Sequence, residues 1–156
     1  MDLQGLSAIL ATSNGTALLR RHARADVLLV GCLRNARATA EAAAGPDRPV
    51  LIACAGLANQ GEPAIEDTFT AGAIVNHLIR IHDGFDLAPG AQEAFEVFLA
   101  HDGEPSKAFA QSQHARYLSS VGFDADLAFC AALDASTAVP LAEEMQGNLR
   151  TVLLRA

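Results

Sequence analysis

An α/β fold, a three-layer α/β/α arrangement around a largely parallel or mixed sheet, is what this sequence predicts. Three observations carry that expectation. Short continuous apolar runs alternate with helical segments along the first half of the chain. Such runs, interleaved with helices, are the pattern of a parallel sheet covered on both faces. Alanine supplies 32 of the 156 residues, while aromatic residues make up only 5% and tryptophan is absent. Alanine favours helix and close contact through small side chains. The length matches one domain over residues 1–156, large enough for a core of its own.

The elements follow in order. Residues 6–11 form a first apolar run, ended by Ser13-Asn14-Gly15, and a helix is expected from about Thr16 to Ala23. Val27-Leu28-Leu29-Val30 reads as a second strand, and Asn35 to Ala44 as an alanine-rich helix stopped by Gly45-Pro46. Val50-Leu51-Ile52-Ala53-Cys54 reads as a third strand. The strongest helix spans about Ala64 to His82, with Ala71, Ile74, Val75, Leu78 and Ile81 at three- and four-residue spacing. Glu66 and Asp67 fall in its first turn, where carboxylates complement the helix dipole. Thr70-Ala71-Gly72-Ala73 keeps its middle thin for close packing against the sheet. Helices are expected at about 91–100, 106–119 and 124–133, and closing strands at 138–141 and 149–154.

Composition narrows the function classes. A net charge of −7, with ten arginines and one lysine, lacks the basic footprint of a nucleic-acid binder. The cluster Arg20, Arg21 and Arg24 reads as a solvated helix end. No apolar run approaches the roughly 20 residues of a membrane helix. The start, MDLQGL, has no basic region, so no signal peptide is expected and the cytoplasm is the expected location. Cys32, Cys54 and Cys130 form no CxxC pair and lie in apolar stretches, which predicts reduced core thiols.

Several familiar sites are excluded. Gly56 to Gly61 has the glycine spacing of a P-loop, but Glu62-Pro63 stands where the Lys-Ser/Thr would bind phosphate and Mg²⁺. No GxGxxG follows a strand, there is no GxSxG elbow, and no cysteine has an arginine six positions on. Asp124-Ala-Asp126 opens a helix and does not end an apolar strand.

What remains is a set of polar residues at strand ends, where ligands of α/β sheets sit. Ser13, Asn14, Gly15 and Thr16 open a helix, so their amides and hydroxyls could hold a phosphate. Arg34 and Asn35 follow the second strand. Glu66 and Asp67 follow the third and suit a hard cation such as Mg²⁺. Each also has an ordinary use. Ser13 or Asn14 could be a helix cap, the two acids could only stabilise a helix start, and Arg34 could be a surface residue. The histidines His22, His77, His82 and His101 show no ligand spacing, and His114 reads as a packed or half-exposed residue.

Thr12-Ser13-Asn14-Gly15-Thr16 followed by Val30-Gly31-Cys32-Leu33-Arg34-Asn35-Ala36 resembles the middle of the 2-phosphosulfolactate phosphatase family. Cys54-Ala55-Gly56, Ile65-Glu66-Asp67 and Ala71-Gly72-Ala73-Ile74 continue the resemblance. Ser112-x-His114-x-Arg116-x-Leu118, Gly122-Phe123-x-x-Asp126-Leu127-x-Phe129-Cys130 and Val139-Pro140 match in the same order, so about residues 6 to 141 are covered.

The resemblance implies a Mg²⁺-dependent phosphatase that hydrolyses (2R)-phospho-3-sulfolactate to 3-sulfolactate and phosphate in coenzyme M biosynthesis. It implies Ser13, Asn14, Gly15 and Thr16 as the substrate-phosphate cradle, Arg34 and Asn35 as anion contacts, and Glu66 and Asp67 at the metal or its water. Arg34, Asn35 and Glu66 are the expected catalytic set. A small anionic phosphorylated substrate is the expected partner, with no nucleic acid or membrane, and self-association would follow from exposed edges.

Family members are longer, with an N-terminal lobe bearing an Asp-x-x-Arg-Ala-Thr/Ser motif before the Thr-x-Asn-Gly-Thr segment. Nothing here matches it, so that lobe is expected to be absent. The alternative is therefore a truncated, non-catalytic homologue that binds an anion or a partner chain. A nucleotide-binding module is a third reading, opposed by the missing glycine motifs.

Overall fold

The structure, a computed structural model, describes residues 12, 14–45, 49–56, 63–145 and 148–154. Helix α1 (Gly15–Arg21) is followed by a 3₁₀ turn (Leu33–Asn35) that runs straight into α2 (Ala36–Ala43). Helices α3 (Ile65–Ile81), α4 (Pro89–Ala100), α5 (Pro105–Phe109), α6 (Gln113–Ser120) and α7 (Asp124–Cys130) come next. Strands β1 (Val139–Met145) and β2 (Asn148–Leu154) close the chain as an antiparallel pair, Val139 opposite Leu154 and Met145 opposite Asn148.

The core is built on α3, which packs against α2, α4 and α5. Phe69, Ala73, Ile74 and Leu78 present its buried stripe to Leu33, Ala36 and Ala40 on one side and Phe98 and Ala108 on the other. Phe69 is fully buried, its ring centroid 5.2 Å from that of Phe98. Gly72 lets α4 come close: a β-carbon there would lie 2.1 Å from the Ala94 carbonyl oxygen. Pro89 and Pro105 start α4 and α5 at positions whose amides have no helical partner.

The sheet departs from expectation. Among the described residues the strands are the one antiparallel hairpin, and the three-layer arrangement around a parallel sheet is not formed. The run at 27–30 contributes a single antiparallel bridge, Leu29 to Leu141, with Val30 N–H donating to Pro140 O and Ala142 N–H to Leu28 O. The run at 50–54 forms no ladder among the described residues. Its residues alternate: Val50 and Ile52 pack on the core, while Leu51 is 78% exposed. A continuous apolar run predicts two covered faces; here one face is covered, and among the described residues the segment lacks the lateral hydrogen bonds that define a strand. The run at 6–11 lies outside the described residues.

Two further expectations change. The helix expected over 106–119 is two helices, because Ser112 caps α6 by accepting the Ala115 N–H at 3.0 Å. Gln111, just before it, turns its amide to His101 Nε2 at 2.9 Å. A serine able to satisfy a free helical amide starts a new helix more readily than it continues one. The three cysteines are free but exposed, not in the core. They sit before the 3₁₀ turn, at the end of the 50–54 run, and at the last residue of α7, a helix with no buried residue. Arg20 and Arg21 do form an exposed, dipole-complementing last turn of α1. His114 is exposed and stacked on Tyr117. No helix among the described residues is long and apolar enough to cross a membrane.

Candidate functional site

The site is built from three chain segments that meet at Gly56. At the start of α1, Thr12 takes over the capping role: its Oγ1 accepts the Thr16 N–H at 3.0 Å, and the Thr16 hydroxyl donates to Thr12 O at 3.1 Å. Gly15 lies against this hydroxyl, where a β-carbon would come within 3.3 Å of Thr12 Oγ1. Asn14 stands at the N-cap position without making a side-chain cap bond. Its amide instead donates to Gly56 O at 2.7 Å. Ser13 lies outside the described residues.

Gly56 has φ +65°, a left-handed conformation that favours glycine, and so turns both its polar backbone groups to use. While its carbonyl takes Asn14, its N–H donates to Asp67 Oδ2 at 2.7 Å. Asp67 occupies the first turn of α3, where the dipole favours a carboxylate. Half-buried Glu66 stands beside it, its backbone carbonyl accepting the Thr70 hydroxyl at 2.7 Å. Cys54 completes the cluster, its thiol donating to Asp67 O at 3.7 Å. The residue is open to solvent, yet neighbouring atoms shield the sulfur. That burial, and secondly the Asp67 carboxylate, raise the thiol pKa above its ordinary value.

Arg34 and Asn35 are held elsewhere. Arg34 Nη1 donates to Phe129 O at 2.8 Å, and its guanidinium carbon lies 3.7 Å from the centroid of the Phe129 ring. Asn35 is buried and fully engaged: Oδ1 accepts the Cys32 N–H at 2.8 Å, and Nδ2 donates to Val30 O at 3.2 Å and Ala138 O at 2.9 Å. No hydrogen bond among the described residues joins either side chain to the Asn14–Gly56–Asp67 group. An apolar groove of about 350 Å³ between α5, α6 and α7, lined by Phe109, Arg116 and Leu127, contains none of these residues.

The carboxylates can be tested against a divalent cation. No group of three or more His, Cys, Asp or Glu among the described residues is arranged to hold a metal. An all-protein cage is thereby absent from that part of the chain. Mg²⁺, however, is commonly held by one or two carboxylates, with water and substrate phosphate completing its shell. Asp67 gives Oδ2 to the Gly56 amide and Glu66 precedes it in the first turn of α3, so both are oxygen ligands of the kind that sparser arrangement uses.

The contact of Cys54 with Asp67 is not legible in the sequence: its apolar neighbours predict a core thiol, although it ends an apolar run two positions before a glycine, where a chain can turn outward. His77, outside this group, meets Asp134, 57 positions away in sequence, a pairing that no ligand spacing signals.

The geometry defines a polar, carboxylate-bearing site at the joined ends of a loop and two helices, in a protein of helices and strands. The family model for 2-phosphosulpholactate phosphatase matches residues 1–145, and the chain belongs to that family. A probable 2-phosphosulfolactate phosphatase of Symbiobacterium thermophilum is 33% identical over 144 residues, covering 92% of this chain and 61% of the relative. One from Thermus thermophilus is 35% identical over 146 residues, covering 90% and 58%. One from Caldanaerobacter subterraneus is 28% identical over 138 residues, covering 88% and 56%. The chain thus spans about 60% of the length of curated relatives it matches.

Proposed function

We propose that this chain is a 2-phosphosulfolactate phosphatase that hydrolyses the phosphate monoester of a small sulfonated hydroxy acid to sulfolactate and phosphate, with Mg²⁺. The observation that carries the reading is the single chain of contacts from Asn14 through both backbone groups of Gly56 to Asp67. It unites the Thr12–Thr16 turn with the acidic start of α3, and each segment belongs to the family pattern. In this reading Ser13, Asn14, Gly15 and Thr16 cradle the phosphate, Asn14 with the amide hydrogen not given to Gly56 and Thr16 by exchanging its bonds to Thr12 for the phosphate. Such donors stabilise charge as the ester bond breaks. Arg34 contributes a fixed positive charge, and Asn35 holds the turn that carries it. Glu66 and Asp67 would hold the cation, which supplies charge neutralisation at the phosphoryl oxygens.

The same reading includes a place in coenzyme M biosynthesis, a cytoplasmic location and one domain over 1–156. It also takes the runs at 27–30 and 50–54 as positions of a larger mixed sheet in a three-layer protein, which the Leu29–Leu141 bridge and the open face at Leu51 support. The exposure of Leu51 and of Val27, at 44%, also favours a second reading, in which the chain is a truncated, non-catalytic homologue that binds an anion or a partner chain.

Phosphate release from 2-phosphosulfolactate and from generic phosphate esters, with and without Mg²⁺, separates the two. Mg²⁺-dependent release that Asp67→Asn abolishes is the expected result. Phosphate binding by the folded chain without any release would overturn the enzymatic reading in favour of the second.

A further inference from the structure

The segment leaving α7 doubles back across the 3₁₀ turn and the start of α2, gripping them at several points. Phe129 holds the Arg34 guanidinium by its carbonyl and its ring. Asp134 N–H donates to Leu33 O at 3.0 Å, Ser136 N–H to Arg34 O at 2.7 Å, and Asn35 Nδ2 to Ala138 O. Arg34 is therefore fixed at both its backbone carbonyl and its charged end by one stretch of chain.

Asp134 is the pivot of that stretch. Its φ of +55° is left-handed, a conformation aspartate tolerates better than most residues. One carboxylate oxygen, Oδ1, accepts the Arg37 backbone N–H at 2.8 Å, an amide in the first turn of α2 that lacks a partner within the helix. The other, Oδ2, meets His77 Nε2 at 2.9 Å and Arg37 Nε at 3.7 Å. The Arg37 side chain is 64% exposed, so its pairing adds little. The His77 and Asp134 side chains are only 14% and 17% exposed. Nε2–H can donate to a carboxylate whether or not the imidazole is charged. Among these contacts His77 alone comes from α3, the helix on which the core is built.

We infer that His77, acting through Asp134, is a positioning residue for Arg34: it ties the 129–138 segment to the rigid core helix, and that segment sets where the guanidinium points. This rests on the reading of Arg34 as an anion contact, and the test separates the two.

Hydrogen–deuterium exchange and inorganic phosphate affinity are measured on the wild-type chain, His77→Leu, His77→Gln, Arg34→Ala and the double variant His77→Leu/Arg34→Ala. In His77→Leu, peptides covering 129–138 and 33–37 exchange faster while those of α3 and α4 keep their protection. Phosphate affinity falls about tenfold, as for removal of a group that orients a binding residue. Arg34→Ala weakens phosphate binding similarly, and the double variant loses no more than Arg34→Ala alone. His77→Gln, which keeps an N–H donor for Asp134, retains most of the affinity. Unchanged exchange over 129–138, additive losses in the double variant, or His77→Gln behaving like His77→Leu would each overturn the inference. A wild-type chain that binds no phosphate overturns the phosphatase reading itself, and with it the role given to Arg34.

Discussion

Asn35 shows how a side chain that looks chemical can be wholly structural. With its amide bonded to Val30 O and Ala138 O, and its carbonyl to the Cys32 N–H, it has no donor left for a substrate. It locks the end of the 27–30 run, the 3₁₀ turn and the approach to β1 together. Asn35→Ala strands partners in a site where the residue is 4% exposed. A loss of about 3 kcal/mol is expected, from three net hydrogen bonds and the desolvated groups left behind. Urea unfolding measures it, and a loss below about 0.5 kcal/mol, the size of an ordinary surface change, would show that the lock is not needed. Residue type placed Arg34-Asn35 correctly at the exit of an apolar run, but type alone does not distinguish a ligand contact from a latch. That distinction depends on Val30, Ala138 and Phe129, which only folding brings alongside.

At the scale of elements, α3 is the part of the chain most legible in advance. Its apolar spacing is local, its acids sit in the first turn, and it spans Ile65–Ile81 against an expected 64–82. The thin stretch around Gly72 was expected to allow close packing, though the partner is α4 and not a sheet. Gly72→Ala would improve intrinsic helix propensity by about 1 kcal/mol. The added methyl, however, meets the Ala94 carbonyl at 2.1 Å and the Phe98 β-carbon at 2.7 Å. Separating the two helices costs more than propensity returns, so a net destabilisation of about 2 kcal/mol is expected by thermal or chemical unfolding. A stabilised variant would mean the α3–α4 contact is looser than described. Strands were less legible because their defining bonds are made with distant segments. The runs at 27–30 and 50–54 have strand composition, and what they pair with is not encoded locally.

Over the whole molecule, three thiols expected inside are at the surface. A colorimetric thiol reagent should therefore label all three in the native protein without denaturant. Cys54 should react slowly at neutral pH and faster as pH rises, because burial and then Asp67 hold its proton on. Asp67→Asn removes the second of these causes and should speed its labelling at fixed pH; an unchanged rate would separate Cys54 from the carboxylate. The sign for stability follows: a pKa raised by folding gives a contribution present at neutral pH and lost as pH climbs through the folded-state value. By itself the sequence determined most of the helices, the thin packing stripe of α3 and the family, because periodicity, turn residues and ordered motifs are local. Only the tertiary structure decided which residues meet. Asn14 reaches Asp67 through Gly56, and Arg34 is held by Phe129 and Ser136. His77 joins Asp134, since hydrogen bonds between residues tens of positions apart exist only once the helices have packed.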